Sequence, residues 1–145
     1  MNWKNRAVTL MELIVVIIII SLIAGFTYPN YRKAVEKGYE RDAIVQMQAI
    51  NSALTYYKAQ AGVYPDGATM SDLTSINTVL GLNIVANNMT YSCISATYSG
   101  PGPGFDCEAA SGFGWEIHVS TNPLRLYPYC LDAACPTCTT AGCSL

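Results

Sequence analysis

Basic residues all but vanish from the second half of this 145-residue sequence: after Gly62 only Arg125 is positively charged, against Asp66, Asp72, Asp106, Glu108, Glu116 and Asp132. A surface with that balance repels phosphate, which excludes nucleic-acid binding by this part of the chain. Histidine is nearly missing too. His118 stands alone, so any Ser-His-Asp or Cys-His arrangement would have to use it. In the alternating run Trp115-Glu-Ile-His-Val-Ser120 it shares the solvent side with Glu116, and a surface strand residue is expected there. No Lys and no helix pattern follow the glycines of Ser99-Gly-Pro-Gly-Pro-Gly104, so that run is a turn and not a phosphate-binding loop. These gaps leave no catalytic constellation: neither an enzyme nor a bound cofactor is expected. Cysteine is absent before Cys93.

What is present is unevenly placed. Hydrophobic residues make up 51% of the chain and charged ones 12%, and most of the apolar content lies in one block, Val8 to Phe26, where only Thr9, Glu12 and Ser21 are polar. As a helix rising ~1.5 Å per residue this block nearly spans a bilayer. The β-branched run Val15 to Ile20 favours a strand in water, but an isolated strand in lipid leaves its backbone unsatisfied, so helix wins. The exit, Phe26-Thr-Tyr-Pro29, lacks the small-residue pattern of signal-peptide cleavage, so the apolar segment is retained. An ordinary single-pass anchor is the plain reading of such a block. Glu12 argues against it, because an acid within a spanning helix costs roughly 2.5–3.5 kcal/mol at the centre and persists with a partner. A chain cut before Val8 would supply one, an amine four residues upstream, protonated below pH ~8. Glu12 would then also lie in the first helical turn, where the helix dipole favours a carboxylate.

The stretch A-V-T-L-M-E-L-I-V-V-I-I-I-I-S-L-I-A-G-F-T-Y-P-N-Y resembles the type IV prepilin signature: a basic leader, a small residue, Thr-Leu-x-Glu, then a hydrophobic helix closing in Pro-x-Tyr. Ala7 stands where the family usually has Gly, and Val8 where it usually has Phe. The resemblance implies cleavage between Ala7 and Val8 by a prepilin peptidase and N-methylation of Val8. It makes Glu12 the acid that meets a neighbouring subunit's amine, and Pro29 a point where the helix loosens on assembly. It also implies an inner-membrane precursor, a pilus assembly platform as partner, and a helical homopolymer on the cell surface as product. Lys4 and Arg6 precede the helix while Arg32, Lys33, Lys37 and Arg41 follow it, so counting basic residues alone inverts the topology. The resemblance places the leader in the cytoplasm, and six cysteines beyond the helix suit an oxidising compartment.

Beyond Pro29, with Gly25 and the proline weakening the helix between them, the spacing of Ile44, Met47, Ile50, Leu54, Tyr57 and Ala61 predicts an amphipathic helix ending at Gly62. Turn signals at Pro65-Asp-Gly67 and Gly81 bracket one short helix near Ser71 to Leu80. Strands are predicted at about 89–98, 105–109, 115–120 and 124–129. The fold class is therefore α+β: a long N-terminal helix, hydrophobic then amphipathic, packed on a small antiparallel sheet with a disulfide-pinned C-terminal loop. The divisions are a leader at 1–7, a membrane or filament-core helix at 8–29, a stem helix at 30–62 and a β-rich head at 63–145.

Cys93 and Cys107 flank the glycine-proline turn on adjacent predicted strands, and a bridge between them follows. The cluster Cys130-x4-Cys135-Pro-Thr-Cys138-x4-Cys143 admits disulfides, a zinc site or a redox pair. Its Thr/Ala/Gly-rich setting, with no βαβ context, favours disulfides. By the resemblance, a Cys130–Cys143 bridge pins the C-terminal loop, with Cys135–Cys138 nested inside it. No metal is expected. A type II secretion pseudopilin is the alternative within the family, and a membrane-anchored thiol or zinc protein the alternative outside it.

Overall fold

The computed structural model describes residues 9–96, 104–121, 128–131, 135–138 and 143. In order these form α1 (Leu10–Ala61), a 3-10 turn (Gly67–Thr69), α2 (Leu73–Leu80), β1 (Met89–Ala96), β2 (Gly104–Ser111), β3 (Glu116–Ser120) and β4 (Tyr129–Cys130). The chain divides into two compact units, Met1–Val35 and Glu36–Leu145.

In the first unit the β-branched run is helical, as its apolar character requires, and its polar residues are satisfied locally. Ser21 Oγ donates to the Ile17 carbonyl at 2.7 Å and Thr27 Oγ1 to that of Ile23 at 2.8 Å, each reaching back one turn so that no hydroxyl is left bare on an apolar face. Helix continues through Pro29, where the sequence predicts a weakened stretch. Only one backbone N–H is lost at a proline, and the flanking turns carry the helix past it.

In the second unit, Ala43, Met47, Ile50 and Leu54 of α1 are completely buried, spaced three and four apart so that they share one face. Ile44 and Tyr57 of the predicted stripe lie at its margin and Ala61 is exposed. The helix stops at Gly62, whose φ of +78° is a left-handed conformation that other residues rarely adopt. Asp66 then caps the 3-10 turn through Ala68 N–H, and Asp72 caps α2 by accepting from Ser75 N–H at 3.0 Å. Hydrogen bonds from the Ser75 backbone and hydroxyl hold the Asp72 carboxyl below its usual range.

The sheet is an antiparallel meander in the order β1-β2-β3-β4. One face, made by Met89, Tyr91, Cys93, Phe105, Cys107, Ala109, Ile117, Val119 and Cys130, joins the buried residues of α1 in a single core. Strand alternation puts Ser92, Asp106, Glu108, Glu116, His118 and Tyr129 on the other face. Trp115, predicted to begin the third strand, instead ends the β2–β3 turn, with its carbonyl accepting from Ser111 N–H at 3.0 Å and its side chain buried. Residues 97–103 and 122–127, which hold the glycine-proline turn and most of the fourth predicted strand, lie outside the described residues.

Three disulfides are present. Cys93 and Cys107 face one another across β1 and β2, with Cα atoms 4.0 Å apart. The tail differs from the predicted nesting: Cys130 pairs with Cys135, and Cys138 with Cys143. The cause is the turn between them. Cys138 N–H donates to the Cys135 carbonyl at 3.1 Å, folding Pro136 and Thr137 into a turn. That turn places Cys135 beside β3, within 3.6 Å of the Glu116 carbonyl, and therefore beside Cys130 of β4. Cys143 still returns to β4 through its main chain, accepting from Cys130 N–H at 3.0 Å, but its sulfur goes to Cys138.

Two outcomes follow. Gly67 packs against the β1 backbone, and a Cβ there would lie 2.7 Å from Ile94 Cα, whereas one at Gly112 would meet nothing within 4 Å. Gly67→Ala should therefore lower the midpoint of non-reducing thermal unfolding by the several degrees that ~1–3 kcal/mol of overpacking implies. Gly112→Ala should leave it nearly unchanged. Peptide mapping without reductant should recover Cys130 linked to Cys135 and Cys138 linked to Cys143. A Cys130–Cys143 peptide would contradict the tail described above.

Candidate functional site

The functional candidates fall in three places. In the first unit, Thr9 caps α1: its hydroxyl and carbonyl accept from Glu12 N–H at 3.2 and 3.1 Å. Glu12 is thus the third residue of the helix, at the end where backbone N–H groups favour an acid. From Leu10, 76% exposed, to Phe26, 77% exposed, the large apolar side chains are exposed among the described residues. This part of α1 is long and apolar enough to cross a membrane. Ala7 and Val8 lie outside the described residues, while Pro29 lies within the helix. The sequence reading missed Thr9 as a cap, although Thr-x-x-Glu before an apolar run is its signature.

A second place was also missed. Glu40, an acidic residue of α1 to which the sequence reading gave no role, is 0% exposed. Its Oε1 accepts from Thr137 N–H at 3.2 Å and from Thr137 Oγ1 at 2.6 Å, and its Oε2 is buried with no hydrogen-bond partner. Glu40 thereby fastens the Cys135–Cys138 turn to α1. Its position three residues before Ala43, in line with the buried stripe, was the available signal.

The third place is the outer face of the sheet. His118 is 8% exposed, and not the surface residue that alternation suggested. Tyr129, opposite it on β4, stacks on its ring with centroids 5.7 Å apart. Asp106 Oδ1 lies 3.2 Å from Nδ1, and Glu116 Oε2 lies 3.5 Å from Nε2, near enough for charge interaction but outside hydrogen-bond geometry. Burial disfavours the charged ring, yet the Asp106 hydrogen bond and charge, followed by Glu116 and Glu108, outweigh it and raise the His118 pKa. Among the described residues this face gathers Asp106, Glu108 and Glu116 around His118. On the core side, burial and then the charge of Asp42 push the Tyr91 phenol up to about 12.

Residues 4–28 match the family model described as the prokaryotic N-terminal methylation motif. The type II secretion system core protein G of Vibrio cholerae is 36% identical over 62 residues, 43% of this chain and 42% of its own. The type IV major pilin protein PilE of Neisseria gonorrhoeae is 26% identical over 97 residues, 67% of this chain and 58% of its own. A fimbrial protein of Neisseria meningitidis is 26% identical over 97 residues, 57% of its length. The chain thus spans about two-fifths to three-fifths of the length of these curated relatives. No solved structure matches it. Prepilin motif, apolar helix and disulfide-bearing α+β head lead to one statement: the chain carries a prepilin-type N-terminus and is related to type IV pilins and to type II secretion core proteins G alike.

Proposed function

We propose that the chain is a structural subunit of a type IV pilus, with no enzymatic role. Prepilin peptidase cleavage between Ala7 and Val8 and N-methylation of Val8 prepare it, and the inner membrane holds it before assembly. An assembly platform then adds it to an extracellular helical filament whose core is built from the Val8–Pro29 helices. One observation carries this reading: an apolar helix whose side chains are exposed among the described residues, bearing an acid in its first turn. Lipid satisfies such a helix before assembly, and other copies of it satisfy it afterwards. Glu12, costly in either apolar setting, is neutralised by the Val8 amine of a neighbour.

The match to core protein G favours a second reading, a subunit of a type II secretion system. Two features weigh towards the pilus. A 97-residue match to PilE is longer than the stretch that ends at Ala61, so it includes part of the head. The head also carries three disulfides, which suit life outside the cell. Filaments sheared from the native cells separate the readings: abundant surface fibres in which this chain is the bulk component support a pilus, and its absence from them sinks that reading.

Intact mass of the mature protein should correspond to a chain starting at Val8 and bearing one additional methyl group. A mass that still contains Met1 to Ala7 would contradict the processing proposed. Glu12→Ala should leave subunit levels in the membrane at or above wild type, because insertion loses a charge that costs roughly 2.5–3.5 kcal/mol. Assembly should fall more than roughly tenfold, since stranding one member of a buried pair costs about 3–5 kcal/mol. Wild-type filament yield from this variant would remove Glu12 from assembly.

A further inference from the structure

The outer face of the sheet brings three candidate ligand side chains together. Register places Glu108 of β2 directly opposite His118 of β3, and Glu116 two residues earlier on the same side. One ligand atom from each of the three lies within 4.8 Å of the others. Ser92 Oγ steadies Glu108 at 2.9 Å, and with Ile94, Asp106, Glu108 and His118 it lines a pocket of about 270 Å³.

The orientation of His118 is informative. Asp106 Oδ1 sits 3.2 Å from Nδ1; with the ring proton held on that nitrogen, the Nε2 lone pair is left to face the carboxylates. Nε2 is buried and, among the described residues, has no hydrogen-bond partner. In that neutral form Nε2 and Glu116 Oε2 face each other across 3.5 Å, a gap that either a second ring proton or a metal cation satisfies. In a tetrahedral site with bonds of ~2.1 Å, neighbouring ligand atoms stand about 3.4 Å apart. The observed separation matches that edge.

We propose that Glu108, Glu116 and His118 bind one first-row divalent transition-metal ion, of which zinc is the best match, with Asp106 as the positioning residue for the imidazole. One nitrogen and two carboxylate ligands, with water as the fourth, suit Zn²⁺. Calcium and magnesium favour all-oxygen sites. Bound there, the ion ties β2 to β3 on the face of the sheet turned away from the core, and binding the folded state alone raises its stability.

The test uses the full chain in detergent micelles with its disulfides intact, stripped with EDTA and moved to metal-free buffer. Because His118 is the only histidine, ¹⁵N labelling of histidine reports a single ring. On titration with ZnCl₂ its Nε2 resonance should shift and saturate at one equivalent, with a rise in thermal midpoint, while equal CaCl₂ or MgCl₂ leaves it in place. Glu108→Gln and Glu116→Gln should each weaken zinc binding by about 100-fold or more, and Asp106→Asn by about 10–100-fold. An Nε2 resonance unmoved by saturating zinc overturns the proposal without any variant. Unchanged affinity in both glutamine variants overturns it as well.

Discussion

An exposed apolar helix at the start of the chain is the constraint on which everything else rests. From Leu10 to Phe26 the side chains are exposed, and the backbone can tolerate an apolar medium only because helix formation satisfies it internally. Ser21 and Thr27 obey the same rule by bonding back to carbonyls one turn earlier. The second unit, from Glu36 onward, has a core of its own. In it four fully buried apolar residues of α1 join one face of a four-stranded meander.

That division of labour explains which features could be read from the sequence. Periodicity of two and of three to four announced the sheet and the helix, because burial on one face is what selects apolar residues at those spacings. Helix ends were legible where glycine supplies positive φ, as at Gly62 and Gly81. Less legible were features that depend on what lies across the fold. Glu40 reads as a stem charge until Thr137, 97 residues away, is brought against it. His118 reads as exposed until Tyr129 stacks over it and carboxylates from two strands surround it. The tail pairing escaped for a similar reason: the Cys135–Cys138 turn is shaped by its attachment to Glu40 and β3, and cysteine spacing carries no trace of either.

A small unit that lacks part of its chain for core building needs covalent help. The Cys93–Cys107 bridge closes 14 residues of sequence between paired strands, worth roughly 3 kcal/mol in the chain-entropy model. Each tail bridge closes only five, for about 2 kcal/mol on the same reckoning. Their larger effect is on position: they hold the residues on either side of the turn that Glu40 grips, so the ion-dipole contact and the cross-links support one another.

The side-by-side order of those two bridges has an evolutionary consequence. In a nested arrangement any insertion in the inner loop lengthens the outer one as well, so a change at one point is felt at both. With Cys130 tied to Cys135 and Cys138 to Cys143, each loop is closed on its own, and the fixed points Cys130, Thr137 and Cys143 lie on the scaffold between and around them. Residues within either loop can be exchanged, or their number altered, without changing the span of the other or the grip of Glu40. The two loops are thus independent places for the sequence to vary, because a change of length in one leaves the span of the other as it was.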